Sequence, residues 1–193
     1  MAARRTPARK ASILTSLSLG EKGELLDQLL AVQPQLRAQV EQLAHDRLAA
    51  EDRDSIAAQV EDALTGHGIE ELSSRAGRQP GRGYVHESEA AGEILDEALQ
   101  PFLDDIHRRA KLGMTTAATE LAVGVLCGLY EIRDSESDTL LGYASDYAID
   151  RAVHVIQECA EAGITLPDDD LLDLTPEWSM LLTRPVRPTP PRR

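Results

Sequence analysis

SEAAGEILDEALQPFLDDIHRRAKLGMTTAATELAVGVLCGLYEI, Ser88 to Ile132, reads as two helices folded back on each other across Lys111-Leu112-Gly113-Met114. In the first arm Ile94, Leu95, Ala98, Leu99, Phe102, Leu103 and Ile106 recur at helical spacing, while Glu93, Asp96, Glu97, Gln100, Asp104, Asp105 and Arg108 fill the opposite side. The second arm, Ala117 to Tyr130, is apolar nearly all round, so it needs protein on several sides and belongs at the centre of a bundle. Gly124 and Gly128 lie one turn apart on it. Each costs a helix roughly 1 kcal/mol relative to alanine, which implies that another helix passes close by. Pro101 removes the donor for the carbonyl of Glu97, so the first arm is expected to kink or split there.

Working outward, Ser18-Leu19-Gly20-Glu21 has capping-box spacing and opens a helix from about Leu19 to Val32 with Leu19, Leu26 and Leu30 along one face. Pro34 suits the first position of a second helix carrying Leu36, Val40, Leu43 and Leu48. A third begins after Asp52 or Asp54, carries Ile56, Val60 and Leu64, and stops at Gly66, with one more turn expected over Ile69–Ser73. Arg75 to His86 has Gly77, Pro80, Gly81 and Gly83 and reads as a solvated linker. Beyond the hairpin come a polar loop over Arg133–Ala144, a helix over Asp146–Ala162 stopped by Gly163, and a turn at Asp168 to Asp170. A short closing helix, Glu177–Leu182, starts at Thr175-Pro176. Ser88 and Ser145 read as helix caps. No strand pattern appears. The expected fold is all-α, helical hairpins in a bundle or short solenoid-like array. Its expected organisation is a basic tail over 1–17, a small helical bundle over 18–74, the linker over 75–87, the main hairpin domain over 88–182 and a Pro/Arg-rich tail over 183–193.

The formal charge of −13 disfavours nonspecific attraction to nucleic acid or anionic membranes. Arg4, Arg5, Arg9 and Lys10 at one end, with Arg184, Arg187, Arg192 and Arg193 at the other, leave the interior more acidic still. Only through these basic ends would a nucleic-acid-associated regulator work, and such binding would fall steeply with salt. Met1 to Leu19 makes a poor secretory signal, and the apolar run Leu121–Tyr130 is too short to span a bilayer. With two cysteines, Cys127 and Cys159, both on apolar helix faces, the chain reads as a cytoplasmic protein with reduced thiols.

Catalytic chemistry finds little footing. Asp104 with His107, and Asp150 with His154, place a carboxylate and an imidazole on one helix face each, and Glu120 is a further ligand candidate on the central helix. These five define an alternative, a helical-bundle metal-dependent enzyme. The ligand set is incomplete, so no metal, cofactor or catalytic residue is assigned. Neither cysteine has a basic neighbour or a helix N-terminus to activate it.

The run Pro101-Phe102-Leu103-Asp104-Asp105-Ile106-His107-Arg108-Arg109, then Gly113, then Cys127-Gly128-Leu129-Tyr130, resembles a bacterial helical segment similar to the regions that accompany SWIM-type zinc-finger proteins. The resemblance covers roughly 88–162. The finger itself, Cys-x-Cys followed by Cys-x-His, is absent, so neither zinc nor the finger's nucleic-acid role carries over. The reading that follows is a non-catalytic module that binds another protein. Its candidate surfaces are the apolar edge Trp178, Leu181 and Leu182, which either closes the core or docks on a partner, and the acidic face Glu93, Glu97, Asp104 and Asp105.

Overall fold

The computed structural model describes residues 13–50, 52–81, 83–135, 139–167, 171, 173 and 175–178. Among them the protein is all-α, with eight α-helices and one two-stranded hairpin. The chain divides into two compact units, 1–47 and 48–193.

The first unit holds α1 (Ile13–Ser16), α2 (Leu19–Val32), a 3₁₀ turn at Pro34–Leu36 and most of α3 (Arg37–Ala49). Helix α1 lies inside the stretch expected to be a tail. Ser18 caps α2 as its spacing predicts: its hydroxyl accepts from the Glu21 N–H, and the Glu21 carboxylate accepts from the Ser18 N–H at 2.8 Å. Pro34 opens a 3₁₀ turn that runs into α3 rather than opening α3 itself. None of these three helices contains a buried residue.

The core belongs to the second unit. Its elements are α4 (Arg53–Thr65), α5 (Ile69–Arg75), β1 (Gly77–Gln79), β2 (Gly83–Val85), α6 (Glu87–Lys111), α7 (Thr115–Glu131) and α8 (Tyr147–Glu161). Helix α7 is buried along most of its length, from Ala117 to Tyr130, with α4, α6 and α8 packed on it, as its all-round apolar pattern requires. Helix α6 turns Ile94, Leu95, Leu99, Leu103 and Ile106 inward. Pro101 is exposed and α6 runs through it as one helix, so it does not split there. Its ring faces solvent, where the carbonyl left without a donor can be hydrated.

Helix α4 differs from expectation in its company. Ile56, Val60 and Leu64 insert against α7 and α6, so the helix grouped by sequence with α2 and α3 is part of the main core. The 75–87 segment is likewise more than a linker. Strands β1 and β2 pair antiparallel, Gly77 opposite Val85 and Gln79 opposite Gly83, and Val85 is buried. Strands of three residues are too short to show alternation, so the glycines and proline dominated the reading.

Helices α6 and α8 end in the same way. Gly113 and Gly163 have φ of 74° and 72°. Each donates to the carbonyl three residues back, and the following residue donates to the carbonyl five back: Met114 to Arg109 at 3.0 Å and Ile164 to Cys159 at 2.8 Å. This is the Schellman closure, in which glycine takes the left-handed conformation without a Cβ clash. The helix starts are less regular. His86 and Asp146 stand at the N-caps of α6 and α8 without side-chain cap bonds, so Ser88 and Ser145 are not the caps. The Arg133–Ala144 connection is not simply polar: it carries 3₁₀ turns at Ile132–Asp134 and Leu140–Tyr143, and Leu140 and Leu141 are buried. Near the C-terminus, Pro176–Trp178 form a 3₁₀ turn at the start of the expected closing helix, whose residues 179–182 lie outside the described residues. Residues 168–170 and the 183–193 tail lie outside the described residues.

Candidate functional site

Three places concentrate polar or close-packed groups, and all are in the second unit. At the α4–α7 crossing, a Cβ placed on Gly124 would come 2.7 Å from Ile56 Cβ, and one on Gly128 would come 2.7 Å from Val60 Cβ and 2.8 Å from the Ala57 carbonyl oxygen. The glycines thus admit α4, and the approach is backbone to backbone. Arg53, at the start of α4, closes the edge of this contact by donating from Nη2 to Glu120 Oε1 on α7 at 2.9 Å. Glu120 is therefore committed to an ion pair, and Cys127 is half-buried on the same helix. Burial pushes its thiol up from the usual range.

The second place is Arg109 on α6, whose side chain is 2% exposed. Its Nη2 donates to Asp105 Oδ2 at 2.8 Å and its Nη1 to the Leu48 carbonyl at 2.7 Å. Burial pulls the Asp105 carboxyl upward, but hydrogen bonds and charge from Arg109 and Arg108 outweigh it and hold the group below the usual carboxylate range.

The third lies where α6 and α8 end side by side. His107, Ala110 and Lys111 face Glu158, Glu161 and Ala162 across a cavity of about 320 Å³. Glu158 Oε1 is 3.0 Å from His154 Nε2, and Glu158 Oε2 is 3.7 Å from His107 Nε2 with no hydrogen-bond partner. The two histidines singled out by sequence thus meet at a glutamate that the sequence reading did not select. A carboxylate four residues after His154 on the same helix is the signal that was there to find. Asp104 instead accepts from Gln100 at 2.9 Å, and Asp150 is exposed. Glu120 is on Arg53, so the five residues of the metal-enzyme alternative are not gathered into one centre. Among the described residues, no three His, Cys, Asp or Glu side chains form a group that could hold a metal ion.

The candidate partner surfaces change accordingly. Trp178 is 6% exposed and packs edge-on against Tyr130, ring centroids 5.1 Å apart. It plugs the core and offers no docking edge, while Leu181 and Leu182 lie outside the described residues. On the acidic face, Glu97 receives Arg75 at 2.6 and 2.8 Å and Asp105 is held by two arginines, so these two carboxylates are ion-paired within the protein. Glu93 is half-buried and Asp104 exposed.

Several apolar side chains of the first unit, among them Leu19, Leu26 and Leu43 that the sequence placed on helix faces, are exposed. Leu25, Leu26 and Leu29 of α2 are each about two-fifths exposed, Leu43 of α3 more so, and Leu19 and Val32 reach 88% and 78%. No described helix is long and apolar enough to cross a membrane. No family model, curated protein or solved structure matches the chain.

Proposed function

We propose that the chain is a non-catalytic helical module that binds another protein chain through α2. The supporting observation is that α2 is a regular helix closed by a capping box, whose Leu25, Leu26 and Leu29 stay exposed. An amphipathic helix of this kind fits helix-to-helix docking, in which apolar anchors at helical spacing enter a partner's groove. The pairing of the acidic groups on α6 within the protein favours this apolar surface over a salt-dependent acidic one. The resemblance to helical regions accompanying SWIM-type zinc-finger proteins agrees with an accessory role.

The test is a doubly substituted protein, Leu25→Glu with Leu29→Glu, used as bait alongside the unaltered chain. The expected result is loss of the partner with α-helical content and melting of the second unit unchanged, because neither leucine contributes to that core. Partner binding that is indifferent to the substitutions rejects α2 as the docking element.

A further inference from the structure

Where α6 and α8 end side by side, one carboxylate faces two imidazoles. The Glu158 side chain is 25% exposed, yet its Oε2 has less than 1 Å² open to solvent and no hydrogen-bond partner. Solvent cannot serve an acceptor sealed in this way, and leaving it unpaired costs free energy. The nearest imidazole belongs to the other helix: His107 Nε2 is 3.7 Å away, just beyond hydrogen-bonding distance. His154 Nε2, one turn before Glu158 on α8, stands 3.0 Å from the other carboxylate oxygen.

We propose that His107, Glu158 and His154 form a proton-operated clasp that tightens the ends of α6 and α8 as pH falls through the histidine range. A histidinium carries N–H on both ring nitrogens, so protonation puts a donor on His107 Nε2 whichever nitrogen held the hydrogen before. The bond it then makes joins two ions, and such bonds are shorter and stronger than neutral ones. Closing the gap takes a movement of about 1 Å.

The charges around the clasp come from three helices. On α6, Asp104, Arg108 and Lys111 border a hollow with His107, and Arg108 is turned onto Asp105. On α8, Glu161 lies beside Glu158 on the cavity wall, Asp150 is exposed one turn before His154, and Arg151 is bound to Asp96. Helix α7 packs on both and has its titratable groups elsewhere: Glu120 on Arg53, Tyr130 against Trp178 and Arg133, Cys127 near Arg53, and Glu131 exposed. Lys111 therefore opposes a proton on His107, while Asp104, Glu158 and Glu161 attract it.

The experiment follows denaturant unfolding of the full chain between pH 8 and pH 5.5, for unaltered protein, His107→Gln and Glu158→Gln. Glutamine at 107 keeps a donor and does not titrate in this range. The histidinium meets its carboxylate only in the folded state, so its stabilisation is present below the ordinary histidine range, about pH 6.5, and is lost as pH rises through it. The unfolding constant of the unaltered chain, divided by that of His107→Gln, is expected to fall about two- to fivefold on acidification, the range of a part-exposed ion pair. Glu158→Gln should show no such gain relative to its own His107→Gln double variant. A ratio that stays flat or rises, or an acid gain that survives Glu158→Gln, overturns the proposal. Amide exchange on the unaltered protein tests it without any variant. The N–H groups of Met114 and Ile164 close the last turns of α6 and α8. Their opening, corrected for the intrinsic effect of pH on exchange, should become rarer by a similar factor on acidification. Unchanged opening at both amides overturns the clasp.

Discussion

Gly128 of α7 and Val60 of α4 approach so closely that a methyl on the glycine would sit 2.7 Å from the valine Cβ. The Ala57 carbonyl oxygen at 2.8 Å blocks the same space from the backbone side, so rotation of a side chain cannot relieve the clash. Gly128→Leu therefore sets roughly 1 kcal/mol of gained helix propensity against the cost of prising two helices apart. Overpacking of a tight core costs about 1–3 kcal/mol, and a backbone obstacle places this site at the upper end. The variant is expected to melt at lower temperature, and a raised melting temperature by calorimetry rejects the close approach.

Asp105 and Arg109 give a prediction with a pH signature. Asp105→Asn leaves a guanidinium that is 2% exposed without its carboxylate, and the expected loss is about 3 kcal/mol at pH 7. The folded carboxyl is held below its usual value. Its stabilisation is therefore present above the unfolded-state value near 4 and fades as pH falls through the lower folded value. Denaturant titrations should show the gap between the two proteins narrowing on acidification below about pH 4. A gap that stays constant or widens there contradicts the assigned pairing.

Trp178 is the only tryptophan, which makes its burial directly readable. Its emission should be blue-shifted in the native protein and move to the red on unfolding. Trp178→Ala removes the ring packed edge-on against Tyr130, and the expected destabilisation is about 3–5 kcal/mol in denaturant melts. A near-neutral variant assigns the ring to a surface role.

Burial, with Glu158 adding to it, pushes the Cys159 thiol up to about 12, so little thiolate exists at pH 8. Its reaction with a disulfide reagent in the native protein should be at least ~100-fold slower than in the denatured chain. Cys127, half-buried, should react first. Rapid native labelling of both thiols in a mass-spectrometric time course contradicts this order.

Much of the architecture was legible because helix signals are local. Ser18 with Glu21, Gly66, Gly113 and Gly163 marked ends that the structure retains, and the unbroken apolar character of Leu121–Tyr130 placed α7 at the centre. Gly124 and Gly128 announced a close neighbour without saying which, because a groove records a helix's proximity and not its address in the chain. Hence α4, sixty-odd residues upstream, was grouped with its sequence neighbours. The β-hairpin was missed because its pairing, not its side-chain pattern, defines it. The pairing of Glu158 with His154 was open to the spacing rule, but its meeting with His107 depends on how α6 lies beside α8, which no single-helix periodicity encodes.

The glycine seam also sets an order of events during synthesis. Val60 is made 68 residues before Gly128, the position it packs against. At translation rates of roughly 5–20 residues per second, the older helix waits about 3–14 s before its counterpart has been polymerised. Through that interval Ile56, Val60 and Leu64 have no α7 to cover them, whereas α6 and α7 follow each other directly and can meet as soon as both emerge. The nascent chain is thus most vulnerable to chaperone capture or aggregation at α4 until α7 has been made.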